Sequence, residues 1–347
     1  MDTKIIKNRE LKLWEALIPV FALIGMLAYN VLFAYNGPDD NALDGSNQFI
    51  LLLGGAVAAI MGYFTKVPFH KMLEEVANNI KSTAGAILIL LMVGALAGTW
   101  MVSGIIPSMI YYGLQILSPA VFLPATLIIC SVISIATGSS WTTSATVGIA
   151  LIGIGGALGF DLGMVAGAVI SGAYFGDKLS PMSDTTNLAP AMAGTDLFTH
   201  IKYMTLTTIP TYIITLLLFI ILGLSVDVTG EANTDDLLNS ITASFNVTPW
   251  LFLVPVIVIG LIVKKTEPLV ALLVGTLLAG IFAIIFQPEV VNGITGANSM
   301  TFKSAYKGVM EAITSKVVVP TENKTLTDLF TSGGMAKMLP TIWLILC

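Results

Sequence analysis

The sequence predicts an all-α polytopic membrane protein, and two observations lead to this prediction. Hydrophobic residues make up 55% of the 347 residues and charged residues only 11%, whereas a soluble domain carries about 25% charged residues. A run of 79 residues from Ser82 to Phe160 contains no Asp, Glu, Lys or Arg. This composition leaves too little polar surface for a globule in water, and it argues against a soluble enzyme and against a disordered chain.

The remaining counts exclude further classes of protein. Two cysteines are too few for a disulfide scaffold or a four-cysteine zinc site. The formal net charge of -5 argues against a nucleic-acid-binding protein. The sequence has no Gly-rich nucleotide-binding loop ending in Lys-Ser/Thr, so we expect neither ATP coupling nor a cofactor.

Individual membrane spans are predicted wherever the chain has an apolar run of about 20 residues. Many Gly, Ala, Ser and Thr residues lie in the charge-free run, and small residues allow helices to approach closely in a bilayer. The apolar runs do not alternate with polar residues, which argues against barrel strands. The predicted spans are Leu13–Tyr35, Gln48–Phe64, Ala84–Val102, Tyr203–Val226, Pro249–Val263 and Pro268–Phe286.

The loop charges predict the orientation, because cytoplasmic loops are enriched in Lys and Arg. Four basic residues precede the first span and place the N-terminus in the cytoplasm: Lys4, Lys7, Arg9 and Lys12. The first loop carries Asp39, Asp40 and Asp44 without a basic residue, so we expect it outside. Lys264 and Lys265 mark an inside turn later in the chain.

The order of spans and loops predicts an inverted repeat, an arrangement common in secondary transporters. Residues 1–226 would form the first repeat, and residues 227–347 an outside loop and the beginning of the second. Thr83–Trp100 would then correspond to Met338–Cys347 in the opposite direction. Because the chain stops about eight residues into this last apolar span, too few to cross a bilayer, we expect an incomplete second repeat and an N-terminal fragment of a longer protein.

A Ser- and Thr-rich segment interrupts the apolar run and predicts a re-entrant hairpin at about residues 120–158. Seven of the nine residues from Thr137 to Ala145 are Thr, Ser or Gly. Such residues favour a departure from helical geometry, and irregular backbone at membrane depth must be buried in protein or line a wet cavity. The alternative is a pair of ordinary helices joined by a surface turn.

The segment Ser171–Asp196 predicts a broken transmembrane helix at about residues 163–195, unwound near Lys178–Asn187. Pro181 and Pro190 interrupt helices, and the segment contains two carboxylates among many hydroxyl groups. The alternative is a surface loop whose charges are solvated.

Carboxylates at membrane depth indicate a functional site, because they are costly there unless paired. Carboxylate, hydroxyl and carbonyl oxygens are the ligands of hard cations, a rule that we extend to Na⁺. One buried carboxylate can hold a proton or a Na⁺, and that competition suffices for coupled exchange. Lys178 is the expected ion-pair partner when Na⁺ is absent. The ligand candidates of this segment are Asp177, Asp184, Ser183, Thr185, Thr186 and Asn187.

Two segments closely resemble the NhaC-type Na⁺/H⁺ antiporter family, which belongs to a group of ion transporters with inverted repeats. They are "ATGSSWTTSATVGIALIGIGGALG" and "AGAVISGAYFGDKLSPMSDTTNLAPA". The resemblance implies exchange of Na⁺ for H⁺ across the bacterial cytoplasmic membrane. It matches Asp177, Asp184, Thr185, Thr186 and Asn187 to the family's broken-helix motif. It matches Thr137–Thr143 to the hairpin tip, which adds Ser139, Ser140, Thr142 and Thr143 to the candidates.

Three hypotheses about function follow. The first is a Na⁺/H⁺ antiporter, and the second is an exchanger of malate and lactate coupled to Na⁺ and H⁺, because one branch of the family resembles such exchangers. The third is a membrane scaffold or receptor without transport, which would have no need of Asp and Pro at membrane depth. The expected partners are Na⁺, H⁺ and the lipid bilayer, and a homo-oligomer is left open.

Overall fold

The computed structural model describes residues 12–37, 42, 45–116, 118–138, 140–181, 183, 186, 189–190, 193–225, 234–264, 266–321 and 324–347. Within these ranges, five helices are long and apolar enough to cross a membrane. They are Leu13–Ala34, Ser46–Phe64, Thr83–Val102, Leu197–Ser225 and Pro268–Phe286. Each overlaps a predicted span, and the prediction of an all-α polytopic membrane protein is confirmed.

The helices of the first third of the chain are α1 (Leu13–Tyr29, continued by a π-turn to Ala34), α2 (Ser46–Phe64), α3 (Phe69–Val102) and α4 (Ile105–Ile116). The predicted span Ala84–Val102 is the second part of α3, a continuous helix of 34 residues. The charged stretch before it therefore belongs to the same helix. With 12 residues, about 18 Å, α4 is too short to cross the membrane, and half of its residues are buried.

The central part of the chain contains α5 (Pro119–Thr137), the short α6 (Ser140–Thr143) followed by a π-turn (Ser144–Gly148), α7 (Ile149–Ala157), α8 (Leu162–Leu179) and α9 (Leu197–Ser225). Asp161 begins α8 as its N-cap, because its carboxylate accepts a hydrogen bond of 3.0 Å from the backbone N–H of Met164.

The last third contains α10 (Thr234–Ser244), a 3₁₀ turn (Pro249–Phe252) with α11 (Leu253–Val263), α12 (Pro268–Phe286), α13 (Pro288–Thr295), α14 (Phe302–Thr314), α15 (Lys324–Leu329) and α16 (Leu339–Leu346). The sixth predicted span, Pro249–Val263, is the second arm of a helix pair bent by 83°. Strand β1 (Val317–Val318) pairs antiparallel with β2 (Thr331–Ser332). This two-residue ladder is a small departure from the expected all-α fold.

Packing divides the chain into two compact units, Met1–Leu91 with Lys337–Cys347, and Met92–Ala336. Their boundaries differ from the predicted repeat boundary at 226/227. A repeat is defined by chain direction across the membrane rather than by packing density, so the repeat boundary stays a prediction.

The first unit is held by polar contacts between helix ends as well as by apolar packing. The Asn30 side chain donates hydrogen bonds to Ser46 Oγ (2.9 Å) and Asn47 Oδ1 (2.8 Å), which join α1 to α2. Gln48 donates to the backbone carbonyl of Pro340 at 3.1 Å and so joins α2 to α16. These bonds satisfy polar groups within otherwise apolar helices.

The second unit contains both segments that carry the candidate residues. In it α8 packs against α5, α7 and α9. Glycines on α8 face α5 directly: a Cβ at Gly172 would overlap the Leu127 carbonyl oxygen, and one at Gly176 would overlap the backbone nitrogen of Ile135. Two glycines four residues apart allow helices to approach this closely.

Candidate cation site and adjoining cleft

Two helices, α5 and α8, run parallel and end next to each other. Gly172 of α8 lies against Leu127 of α5, and Gly176 lies against Ser134 and Ile135. The two helices therefore run in the same direction. Ser134 Oγ donates to the carbonyl of Ala173, and Ser180 Oγ donates to the carbonyl of Ile135 at 2.8 Å. The two helix C-termini are therefore fixed side by side.

Local sequence signals end both helices at this point. Gly138 follows α5 with φ 69°, a left-handed conformation that glycine adopts readily, and its N–H bonds the Ser134 carbonyl. Ser180 follows α8 with extended backbone, φ −76° and ψ 126°. A residue before proline is pushed out of the helical region, and Pro181 comes next. The backbone at Thr186 is helical again.

In the described residues α8 includes Lys178 and Leu179 and ends before Ser180. The proline acts on the residue immediately before it rather than on the whole preceding turn. That the chain from 163 to 195 forms one broken transmembrane helix stays a prediction.

Asp177 lies where these two helix ends meet. Ser140 Oγ, from the start of α6, donates to Asp177 Oδ2 at 3.1 Å. Ser183 Oγ, from the segment after α8, donates to Asp177 Oδ1 at 2.6 Å. Thr186 Oγ1 donates to the backbone carbonyl of Asp177 at 2.7 Å. The Ser/Thr-rich segment and the Asp-containing segment therefore share one carboxylate, and we call Asp177, Ser140, Ser183 and Thr186 the Asp177 cluster.

The electrostatics of the Asp177 cluster favour a cation. Each helix C-terminus carries about half a negative charge from its aligned peptide dipoles, and α5 and α8 both end here. Asp177 adds a full charge when ionised and is partly buried, while the hydroxyls of Ser140, Ser183 and Thr186 belong to buried residues. A cation at this place would have carboxylate, hydroxyl and carbonyl oxygens within reach of one another.

The other candidate residues divide into two groups. Thr143 is fully buried on the short helix that begins at Ser140. Outside the described residues or side chains lie Ser139, Thr142, Asp184, Thr185 and Asn187. Within the part of the chain that the structure describes, no three His, Cys, Asp or Glu side chains cluster as they would around a transition metal.

Lys178 faces a different neighbour from Asp177. Successive residues of an α-helix point about 100° apart, and within the described ranges Lys178 forms no ion pair with Asp177. Its side chain is exposed and lines a cleft of about 260 Å³ between α8 and α9. The predicted pairing of Lys178 with Asp184 falls on a residue outside the described ones and stays a prediction.

The α8–α9 cleft was not foreseen from the sequence. Its wall on α9 carries Thr207, Thr208, Thr211 and Thr215, and its wall on α8 carries Ser171 and Tyr174. The signal was present: Thr207, Thr211 and Thr215 are spaced by four residues and so share one helix face. Nothing in the sequence indicated that this face meets Lys178.

The fold and the Asp177 cluster together define a polytopic helical membrane protein with a carboxylate among hydroxyl groups at two helix ends, as expected of an ion transporter. A family model described as the Na⁺/H⁺ antiporter family matches residues 172–347. The chain belongs to this family, and the resemblance to NhaC-type antiporters is confirmed.

Three curated relatives show the range of the similarity. The malate-2H⁺/Na⁺-lactate antiporter of Bacillus subtilis is 37% identical over 309 residues, 88% of this chain and 62% of that protein. The Na⁺/H⁺ antiporter NhaC of Alkalihalophilus pseudofirmus is 39% identical over 230 residues, 66% of this chain and 50% of that protein. NhaC of Bacillus subtilis is 37% identical over 281 residues, 80% of this chain and 59% of that protein. The chain thus spans half to about three fifths of the length of these relatives. No solved structure matches it significantly.

Proposed function

We propose that the protein acts as a secondary active antiporter which exchanges Na⁺ for H⁺, and that the two cations compete for Asp177. The observation that carries this proposal is the arrangement around the Asp177 carboxylate. It accepts hydroxyl hydrogen bonds from Ser140 and Ser183, which come from two separate segments. Membership of the Na⁺/H⁺ antiporter family supports the same function.

Na⁺ would be held by oxygen atoms that already lie close together. The Asp177 carboxylate supplies the charge, and a hard cation also accepts neutral oxygen ligands. In the structure the hydroxyls of Ser140 and Ser183 point their protons at the carboxylate. A hydroxyl group rotates freely and has two lone pairs, so the same two oxygens can turn towards a cation that binds Asp177.

A proton would neutralise the same carboxylate and remove the charge that Na⁺ needs. An ionised and unpaired carboxylate is costly at membrane depth, so the site would change sides with a Na⁺ or a proton bound rather than empty. This cost couples the two fluxes, because neither cation can leave productively until the other replaces it.

The further candidates belong to the same proposal. Asp184 would be a second carboxylate of the site, and Thr185 and Asn187 would add oxygen ligands beside Thr186. Ser139, Thr142 and Thr143 would contribute from the tip of the hairpin. We also propose that residues 120–158 form a re-entrant hairpin and residues 163–195 a broken transmembrane helix, which would bring both segments to membrane depth.

The proposed setting is the bacterial cytoplasmic membrane with the N-terminus in the cytoplasm. The lysines and arginine before the first span support this orientation. The proposed architecture is an inverted repeat, with residues 1–226 as the first copy and residues 227–347 beginning the second.

The second candidate function is exchange of malate and lactate coupled to Na⁺ and H⁺. It is supported by the similarity to the Bacillus subtilis antiporter of that name. Both functions use the same cations, so transport measurements must separate them.

The test is proton flux driven by a Na⁺ gradient in proteoliposomes that contain the protein, measured with a pH-sensitive dye inside the vesicles. Na⁺-dependent flux without any organic acid supports Na⁺/H⁺ exchange. Flux that requires malate on one side and lactate on the other supports the second candidate. Vesicles that show neither flux would contradict both.

Competition for one carboxylate predicts a specific pH dependence. We expect the half-saturating Na⁺ concentration on one side of the membrane to rise as the pH on that side falls, with the pH on the other side held constant. The rate at saturating Na⁺ should stay unchanged, because Na⁺ in excess displaces the proton from Asp177. Initial rates over a matrix of pH and Na⁺ concentration would measure this. If the rate at saturating Na⁺ fell with pH while the half-saturating Na⁺ concentration stayed constant, the proton would act at a group other than Asp177.

The two serines that contact Asp177 should set the affinity for Na⁺. We expect Ser140→Ala and Ser183→Ala each to raise the half-saturating Na⁺ concentration by about tenfold to a hundredfold, the usual effect of losing one oxygen partner of a charged group. Ser131→Ala is a matched control on α5, since its hydroxyl donates to Leu127 and lies beside Tyr212 instead. Equal effects of all three changes would contradict a direct role for the first two.

A further inference from the structure

The α8–α9 cleft offers a set of unused hydrogen-bond donors around one positive charge. Among the described residues, the hydroxyls of Ser171, Tyr174 and Thr208 have no hydrogen-bond partner, although all three line the cleft with Lys178. The ammonium group of Lys178 carries three more donors. No carboxylate is among the described residues that line the cleft.

The other threonines of the cleft do not add donors. Thr207 donates to the Met204 carbonyl, Thr211 to Thr207 and Thr215 to Thr211, all within α9. These bonds satisfy the threonines along their own helix. The free donors are therefore concentrated at Lys178 and the three unpaired hydroxyls, a combination suited to an anion with several oxygen atoms.

The cleft lies well inside the span of α9. The rings of Phe175 and Tyr212 are 4.0 Å apart between centroids, and Gly167 faces Phe219, so α8 and α9 run antiparallel and Lys178 is level with Thr208. Thr208 comes eleven residues after Leu197, about 16 Å along a helix of about 43 Å. With α9 crossing the bilayer over the predicted span Tyr203–Val226, Thr208 lies five residues, about 7–8 Å, inside that span. This position is on the hydrocarbon side of the lipid phosphates.

We infer that the α8–α9 cleft is a binding site for a small carboxylate anion, with Lys178 as the charged partner and Ser171, Tyr174 and Thr208 as hydrogen-bond donors. The cleft has a volume of about 260 Å³, just below the range of pockets that hold drug-sized ligands, and this volume suits a short organic acid. A hydroxyl substituent on the acid would find the free hydroxyls of the cleft as partners.

This site is distinct from the Asp177 cluster, although the two adjoin in sequence. Asp177 is hydrogen-bonded by Ser140 and Ser183, whereas Lys178 faces α9. Anion binding at equilibrium requires no ion gradient and no turnover. The inference rests on the second candidate function, exchange of organic acids, and its test is independent of cation exchange at Asp177.

The test is equilibrium binding of radiolabelled L-malate and L-lactate to the purified protein in nanodiscs of neutral lipid. We expect saturable binding of at least one acid, with affinity reduced about tenfold or more by Lys178→Met, since this change removes a charged hydrogen-bonding partner. Lys178→Arg should recover part of the affinity. Thr208→Val keeps the shape of the side chain and should weaken binding by about threefold to tenfold.

The matched control is Lys202→Met, which removes a lysine from the first turns of α9 outside the cleft and should bind as the unchanged protein does. Equal affinity in Lys178→Met and the unchanged protein would overturn the site, as would the absence of saturable binding of either acid. The site would also be overturned if anionic phospholipid displaced bound malate while added lactate and inorganic phosphate did not, since the cleft would then hold a lipid headgroup.

Discussion

Asp177→Asn is expected to reduce Na⁺-driven proton flux to the level of protein-free vesicles. The amide is close to the carboxylate in shape. Its oxygen can still accept one of the two serine hydrogen bonds, and its NH₂ group can donate to the hydroxyl oxygen of the other serine. It cannot carry the negative charge that a cation requires, nor release a proton. Both halves of the exchange should therefore be lost together while the protein stays folded.

The control for this change is Asp161→Asn, at the opposite end of the same helix. Asp161 caps α8 by accepting from the Met164 N–H, and Asn caps a helix about as well as Asp. We expect normal flux in Asp161→Asn. Normal flux in Asp177→Asn, with the protein inserted at an equal level, would remove Asp177 from the mechanism.

Asp184→Asn in the same assay distinguishes one carboxylate from two. Because Asp184 is proposed as a second carboxylate of the site, we expect this change to abolish exchange as well. If Asp184→Asn retains flux while Asp177→Asn loses it, the exchange depends on the single carboxylate that the hydroxyl groups contact. The opposite result would place the shared carboxylate in the segment after Ser183.

Among the Gly→Ala substitutions on α8, Gly176→Ala is expected to lower the stability of the protein most. A Cβ at this position would overlap the backbone nitrogen of Ile135 and the carbonyl carbon of Ser134, and backbone atoms cannot turn aside as a side chain can. Such overpacking costs about 1–3 kcal/mol of unfolding free energy. The added methyl group should also push the C-terminal ends of α5 and α8 apart, which would lengthen the distance between Ser140 and Asp177.

Two measurements test this expectation. Thermal denaturation in detergent, followed by the loss of the monodisperse peak in size-exclusion chromatography, should show a lower midpoint for Gly176→Ala. Proton flux at low temperature should fall even where the protein remains folded. Gly167→Ala is the control on the same helix, since its Cβ would make an ordinary contact of 3.8 Å with Phe219 and Ala favours the helix over Gly. A midpoint for Gly176→Ala equal to that of Gly167→Ala would contradict the close α5–α8 packing.

Parts of the fold were predictable because their causes act over a few residues. Hydropathy identified five spans by their apolar length, and loop composition separated them. The break after α8 follows from Ser180 preceding Pro181, and the end of α5 follows from the left-handed conformation of Gly138. The sixth span was only partly predictable, because its helix is bent by 83° against its neighbour, and hydropathy does not report angles.

From the residues alone follow the class of the protein, the segments in which α5 and α8 end, and Asp177 as a carboxylate among hydroxyl groups. Which hydroxyl groups meet that carboxylate depends on the packing of the helices, as does the position of Lys178 beside α9. Ser140 and Asp177 are 37 residues apart, and they meet because Gly172 and Gly176 let α5 and α8 pack in parallel at backbone contact. Local propensities end a helix, but only the packing of one helix on another determines what its last residues touch.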